Sequence, residues 1–337
     1  MSRVVFLMDK IMRKFGLSGK SVVPLISGTA CAIPAIMATR NIENWKERLI
    51  TILVTPFTTC SARLPVYAII IALVIPDNRV FGFLNMQGMT LMLLYLLGFG
   101  MAIFSAYILN KILKIKGKTY FVVEMPNYKL PLFKNVGINV IEKTKAFIFG
   151  AGKIILAISI VLWFLASYGP GEKFNNAETI VTENTKQNPL SETDFENAVA
   201  SQKLENSYIG LMGKTIEPAI SPLGYDWKIG IAIISSFAAR EVFVGTLATI
   251  YSVGGSDNET TIKNKMAAEI NPVTGEKIFN FASGISLLLF YAFAMQCAST
   301  LAVTKKETNS WKWPAGQLIF MSGFAYVVAL LAYQILK

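Results

Sequence analysis

Three thiols carry the clearest chemistry in this sequence. Cys31, Cys60 and Cys297 are its only cysteines, and each sits in or beside an apolar run. The first lies in Gly28-Thr29-Ala30-Cys31-Ala32-Ile33-Pro34. Pro34 has no amide hydrogen and leaves a carbonyl of the preceding turn without its helical donor. A thiol beside such a carbonyl suits a soft or borderline divalent cation; a packing kink with a structural cysteine is the competing reading. The second lies in Pro56-Phe57-Thr58-Thr59-Cys60-Ser61-Ala62-Arg63-Leu64-Pro65, a polar stretch bracketed by Pro56 and Pro65. An arginine at mid-membrane costs at least about 2.5–3.5 kcal/mol, so Arg63 is expected to face protein, water or a partner, or to snorkel from a span end. The third thiol lies in Met295-Gln296-Cys297-Ala298-Ser299-Thr300, which sets thioether, amide, thiol and hydroxyl groups on one stretch. A fourth cluster, Ser235 to Thr246, contains Arg240 and Glu241. Neighbours on a helix project about 100° apart, so each of these two can meet a partner from another helix. Small-residue packing between helices is the alternative for both later clusters.

Other chemistries are excluded. The chain has no histidine, which removes the commonest metal ligand and general base, and no paired-carboxylate constellation appears. No catalytic residue is assigned. Gly19-Lys20-Ser21 resembles the end of a phosphate-binding loop, but that motif needs a glycine where Lys14 stands, so no nucleotide site follows. Three scattered cysteines do not make a disulfide framework. The net charge of +11 would suit nucleic acid only as a basic face on a soluble domain; here Lys and Arg lie mostly between apolar runs, as topology signals do.

The elements that must position these groups are membrane helices. Of 337 residues, 53% are hydrophobic and only 16% charged, against about 25% charged in soluble domains. Apolar runs long enough to cross a bilayer, which takes about 20 residues, lie near 49–75, 87–109, 146–168, 229–251, 281–303 and 315–336. Residues 1–20 read as a basic amphipathic helix at the interface. Residues 22–38 are too short and too interrupted for a clean span, so a re-entrant or broken helix is expected. The connection 110–145 holds eight Lys and two Glu and is placed in the cytoplasm. Alternation then puts the polar connection 169–228 outside and 252–280 inside. Lys305 and Lys306 disagree, falling outside, which points to an extra re-entrant element or a miscount between 229 and 314.

Together these strings resemble the membrane region of the FeoB ferrous-iron transport family. The resemblance is carried by Gly16 to Ser21, Cys31 with Pro34 and Ile36 to Arg40, Cys60 with Ala62 to Tyr67, Arg240-Glu241 with Val244 to Leu247, and Ala294 to Cys297 with Ser299 to Ala302. It implies an all-α polytopic bundle with two Gate-type repeats containing broken or re-entrant helices. The expected layout is an interfacial helix 1–20, a first repeat 21–109 incomplete at its N-terminus, a basic loop 110–145, a second repeat 146–251 with the external loop 169–228, a cytoplasmic loop 252–280, and a helix pair 281–337.

The resemblance further implies Fe²⁺ as transported substrate, with Cys31, Cys60, Cys297, Glu241 and Met295 as path residues. Arg63, Arg240, Ser235 and Thr300 are the matching membrane polar or gating positions, and Pro34, Pro56 and Pro65 the helix breaks. Family members carry a GTP-binding domain before this region, whereas Met1-Ser2-Arg3 already falls in the first Gate motif. GTP and Mg²⁺ are therefore expected only through that domain, in cis or in trans. The implied setting is multi-pass in the bacterial inner membrane, with the lipid bilayer and small accessory iron-transport proteins as partners, a homo-oligomer compatible with it, and no nucleic acid. Competing readings are a Gate-fold transporter of a nucleoside-like or other organic solute, and a non-transporting remnant or scaffold.

Overall fold

The computed structural model describes residues 2–80, 84–113, 132–185, 192–237, 240, 242–250, 266, 277–295 and 297–337. It is all-α, apart from a two-residue antiparallel ladder pairing Arg79 with Asn85. The chain partitions into two compact units, one drawn from Met1–Ser61, Leu93–Leu156 and Ala298–Phe320, the other from Ala62–Met92, Ala157–Cys297 and Met321–Lys337.

In the first unit, α1 (Ser2–Met12) is followed by the short helices α2 (Val22–Ser27) and α3 (Ala32–Ala38). These two pack on each other rather than continuing in line, closing a hairpin at Thr29–Cys31. Residues 22–38 thus turn back as their interruptions predict. Helix α4 (Trp45–Val54) begins at Asn44, whose side chain accepts from the Lys46 amide, and so satisfies one of the orphan donors of a helix start. Leu25 of α2 packs with Ile50 and Val54 of α4 and with Ala106 of α6 (Met86–Ile112).

The run 45–74 is a membrane-length helix with an interruption. Helix α4 ends in a 3-10 turn, Thr55–Phe57, that accommodates Pro56; Thr58 is extended; another 3-10 turn, Ser61–Arg63, leads into α5 (Leu64–Val74), with Pro65 in its first turn. Proline is tolerated at those positions because the amide it lacks has no helical acceptor there. Residues 281–308 repeat the pattern later in the chain. The last three helices are α15 (Phe281–Phe293), α16 (Ala298–Thr308) and α17 (Lys312–Leu336), and Ala294 is extended between the first two. Among the described residues, four stretches are long and apolar enough to cross a membrane: Trp45–Val74, Met86–Ile112, Phe281–Thr308 and Lys312–Leu336.

The second unit corrects one sequence expectation. Residues 229–251 do not make a single crossing. Helices α13 (Trp227–Ser236) and α14 (Val242–Ile250) lie antiparallel. Ser235 and Thr246 hydroxyls meet at 2.9 Å, and Ile231 shares a cluster with Ile250, a pairing in which one index rises as the other falls. The pair is a hairpin. The apolar run 146–168 lies in the helical stretch α7 (Phe133–Phe147), a π turn (Ile148–Gly152) and α8 (Lys153–Ser167). The polar connection 169–228 contains α9 (Glu172–Asn175), α10 (Ala177–Thr185), α11 (Glu192–Glu205) and α12 (Tyr208–Ile220). Gly213 lets α12 approach the backbone of α13, since a Cβ there would lie 3.0 Å from the Trp227 carbonyl.

Candidate functional site: thiols at helix interruptions

Each thiol sits where a helix is broken. Cys31 is the extended residue before α3, Cys60 lies between the two 3-10 turns, and Cys297 directly precedes α16. All three are partly exposed and none forms a disulfide. Such interruptions expose backbone carbonyls that a continuous helix would occupy, and they turn a packing element into a set of donors.

In the first unit the Cys31 and Cys60 interruptions meet. Ser61 Oγ donates to the Ala30 carbonyl at 2.8 Å. Ala30 lies before the N-cap of α3, so its carbonyl has no donor within that helix. The hydrogen bond thus joins the residue before Cys31 to the residue after Cys60. A second cross-link satisfies the end of α4: Gln317 Nε2 of α17 donates to the Leu53 carbonyl at 2.9 Å. Gly98 of α6 lies against the same interruption, where a Cβ would come within 2.8 Å of Thr59 Oγ1 and 3.0 Å of the Phe57 carbonyl.

The same unit holds a buried carboxylate clamp. Glu307 of α16 accepts from Arg40 Nε at 3.0 Å and Nη2 at 2.5 Å, and from Arg48 Nη2 at 2.7 Å. Bidentate guanidinium–carboxylate pairing is among the stronger polar contacts in proteins. The hydrogen bond to Glu307 raises the Arg40 pKa further, with burial opposing it.

In the second unit Arg240 sits at the end of α15. Its guanidinium, buried, donates to the Tyr291 carbonyl at 3.5 Å and the Ala294 carbonyl at 3.2 Å. A cation there satisfies orphan acceptors and complements the negative end of the helix dipole. Tyr291 donates to Ser236 Oγ at 3.2 Å and stacks edge-on with Phe243, ring centres 4.7 Å apart. The α13–α14 hairpin is therefore held to the α15 terminus just before Met295, which is buried. Ser235, expected in a gating role, pairs with Thr246 within the hairpin.

Arg63 and Thr300 are both buried, and Glu241 lies outside the described residues. Among the described residues, no group of three or more His, Cys, Asp or Glu side chains could hold a metal ion. A cavity of about 510 Å³ lies between α8 and the hairpin. Its walls include Leu162, Trp163, Ile231 and Val242, with the hydroxyls of Ser159, Ser235, Thr246 and Thr249; among the described residues, no amide or charged side chain lines it.

Sequence reasoning missed Arg48, Glu307 and Gln317. Nothing local marks them: Glu307 pairs with residues 267 and 259 positions away.

The fold and site define a polytopic helical membrane protein whose broken helices carry thiols at their interruptions. Comparisons agree. The Gate family model, described as nucleoside recognition, matches residues 1–74 and 148–311, and the model for the ferrous iron transport protein B C terminus matches 91–143. The chain is similar to proteins named Fe(2+) transporter FeoB from Leptospira interrogans (43% identity, 99% of this chain, 45% of the relative) and Leptospira biflexa (44%, 100% and 46%). It is also similar to a Fe(2+) transport protein A/Fe(2+) transporter FeoB fusion protein from Porphyromonas gingivalis (34%, 99% and 40%). No solved structure matches it. The chain belongs to the FeoB family and corresponds to the C-terminal membrane part of its members. It spans less than half the length of these curated relatives.

Proposed function

We propose that this chain is the permease part of a bacterial inner-membrane Fe²⁺ uptake transporter, driven by a GTP-binding domain in cis or in trans. The observation that carries the reading is the Ser61–Ala30 hydrogen bond, which brings two thiol-bearing interruptions to one place. Borderline Fe²⁺ accepts thiol sulfur as well as oxygen ligands. Sulfur from Cys31 and Cys60, with carbonyls released at the breaks, replaces part of its water shell. Cys297, Met295 and Glu241 supply donors elsewhere on the path. Transit requires binding weak enough to release the ion, which favours a mixed set over a closed thiolate cage. The name of the Porphyromonas relative supports a small iron-transport protein as a further partner.

Counting α13–α14 as a hairpin also repairs the topology. The start of α15 then shares the outer side with the start of α13, and Lys305 and Lys306 come to the cytoplasmic side with Arg40 and Arg48, as positive charge prefers. An organic solute is not favoured, because a nucleoside site needs convergent polar groups and, among the described residues, no amide or charge lines the hairpin cavity.

The test is uptake of radiolabelled Fe²⁺ by cells expressing the chain with a FeoB GTPase domain. A Cys31→Ser, Cys60→Ser double variant is expected to lose about ten- to a hundredfold of uptake. Unchanged uptake at normal membrane abundance removes the thiols from the mechanism.

A further inference from the structure

Helical hydroxyls in this protein normally bond back to their own helix. Thr51, Thr55 and Thr308 each donate to the carbonyl four residues earlier, at 2.7, 2.6 and 2.7 Å. Ser299 is different. It is 1% exposed, and its Oγ has no hydrogen-bond partner among the described residues. The local cause is its position: α16 begins at Ala298, so the carbonyl four residues earlier belongs to Met295, beyond the break. A buried hydroxyl left unsatisfied is destabilising, and an instance in a native fold calls for an explanation.

The packing of α16 on α3 says where this hydroxyl lies. Glu307 pairs with Arg40, an offset of 267, and Val303 shares a cluster with Ile36 at the same offset. The two contacts advance together along both segments, so α16 runs parallel to α3. Residues 299, 303 and 307 form one stripe of α16, as 32, 36 and 40 do of the facing segment. The next step of that register sets Ser299 level with Ala32, beside Cys31. The Ala32 side chain is a single methyl, and both Cys31 and Ala32 are partly exposed. Cys31 itself packs against the Ile33, Ile36, Ile52 and Val303 cluster.

We propose that Ser299 is a pathway hydroxyl, an oxygen donor that with the Cys31 sulfur replaces water on a transported borderline divalent cation. The inference rests on the Fe²⁺ permease reading and deepens it by naming a specificity residue. One hard oxygen beside one sulfur suits Fe²⁺ better than a purely thiolate pair, which favours softer ions.

The experiment uses the chain expressed with a FeoB GTPase domain, measuring thermal stability, Fe²⁺ uptake and competition by Cd²⁺. Ser299→Ala is expected to leave stability unchanged or higher, since an unsatisfied hydroxyl is removed, while uptake falls about tenfold. Ser299→Thr, which keeps the oxygen, is expected to retain uptake. Ser299→Cys is expected to fold and to make Cd²⁺ a stronger competitor. Normal uptake in Ser299→Ala overturns the proposal, as does parallel loss of stability and uptake. If Ser299→Ala fails to fold, unaltered Cd²⁺ competition in Ser299→Cys overturns it instead. The two readings fail separately: loss of uptake in Cys31→Ser with none in Ser299→Ala sinks only the hydroxyl, whereas no loss in either variant or in the double thiol variant sinks the permease assignment of this site.

Discussion

Removing the Glu307 carboxylate tests the register of the first unit. Its side chain is 3% exposed, while those of Arg48 and Arg40 are 22% and 52% exposed. Breaking a buried ion pair by deleting one partner costs about 3–5 kcal/mol, chiefly because a charge stays buried without compensation. Here Arg40 can turn to solvent and Arg48 only in part, so Glu307→Ala is expected at the lower end, about 3 kcal/mol. Arg48→Met loses a charge-assisted hydrogen bond worth about 1.5–3 kcal/mol. It also removes a buried Nε that has no hydrogen-bond partner among the described residues, which offsets part of that loss. Arg40→Met acts on a half-exposed group and should cost about 1 kcal/mol or less. The predicted order is Glu307 above Arg48 above Arg40. The assay is denaturant titration in mixed micelles, with a double-mutant cycle for each arginine to isolate its coupling to Glu307. Because the hydrogen bond to Glu307 raises the Arg40 pKa, its contribution is complete below the ordinary arginine value and unchanged across neutral and mildly alkaline pH. Added salt should weaken the Arg40 coupling more than the Arg48 coupling. A Glu307→Ala variant within about 0.5 kcal/mol of the parent, or Arg40→Met costing as much as it, refutes the clamp.

Gly98→Ala puts a methyl 2.8 Å from Thr59 Oγ1 and 3.0 Å from the Phe57 carbonyl. The threonine can rotate but the carbonyl belongs to the backbone, so a loss of about 1–3 kcal/mol is expected, only partly relieved by Thr59→Ala; the same titration checks both. Burial raises the pKa of the Tyr225 phenol, against the effect of its 2.9 Å hydrogen bond with Ser286. Unfolded tyrosine ionises at about 10 and the folded one higher, so this contribution is complete below that pH and lost as pH rises through and above it. Tyr225→Phe should flatten the alkaline fall in stability, and an unaltered pH profile counts against the assignment.

The membrane class and the interruptions at Pro34, Pro56 and Pro65 were legible without coordinates, because both are local; the break before Ala298, inside the expected run 281–303, was not. Hydropathy is summed over neighbours, and Pro34, Pro56 and Pro65 act on the turns that contain them. The fold-back of 22–38 was legible for the same reason, since the run is too short and too broken to cross. The fold-back of 229–251 was not. An apolar run of crossing length has the same hydropathy whether it continues or reverses, and reversal is decided by what meets what: Ser235 with Thr246, and Arg240 with the carbonyls at the end of α15. Lys305 and Lys306 were the one sequence sign of that reversal.

Sequence alone therefore determined a helical membrane chain with thiols at its breaks, because helix breaking and lipid partitioning are properties of short segments. Tertiary structure decided which breaks meet, which carbonyl takes the Ser61 proton and which arginines share Glu307. Those pairings span from 31 to 267 residues and depend on the direction and register of packed helices, which no window along the chain records.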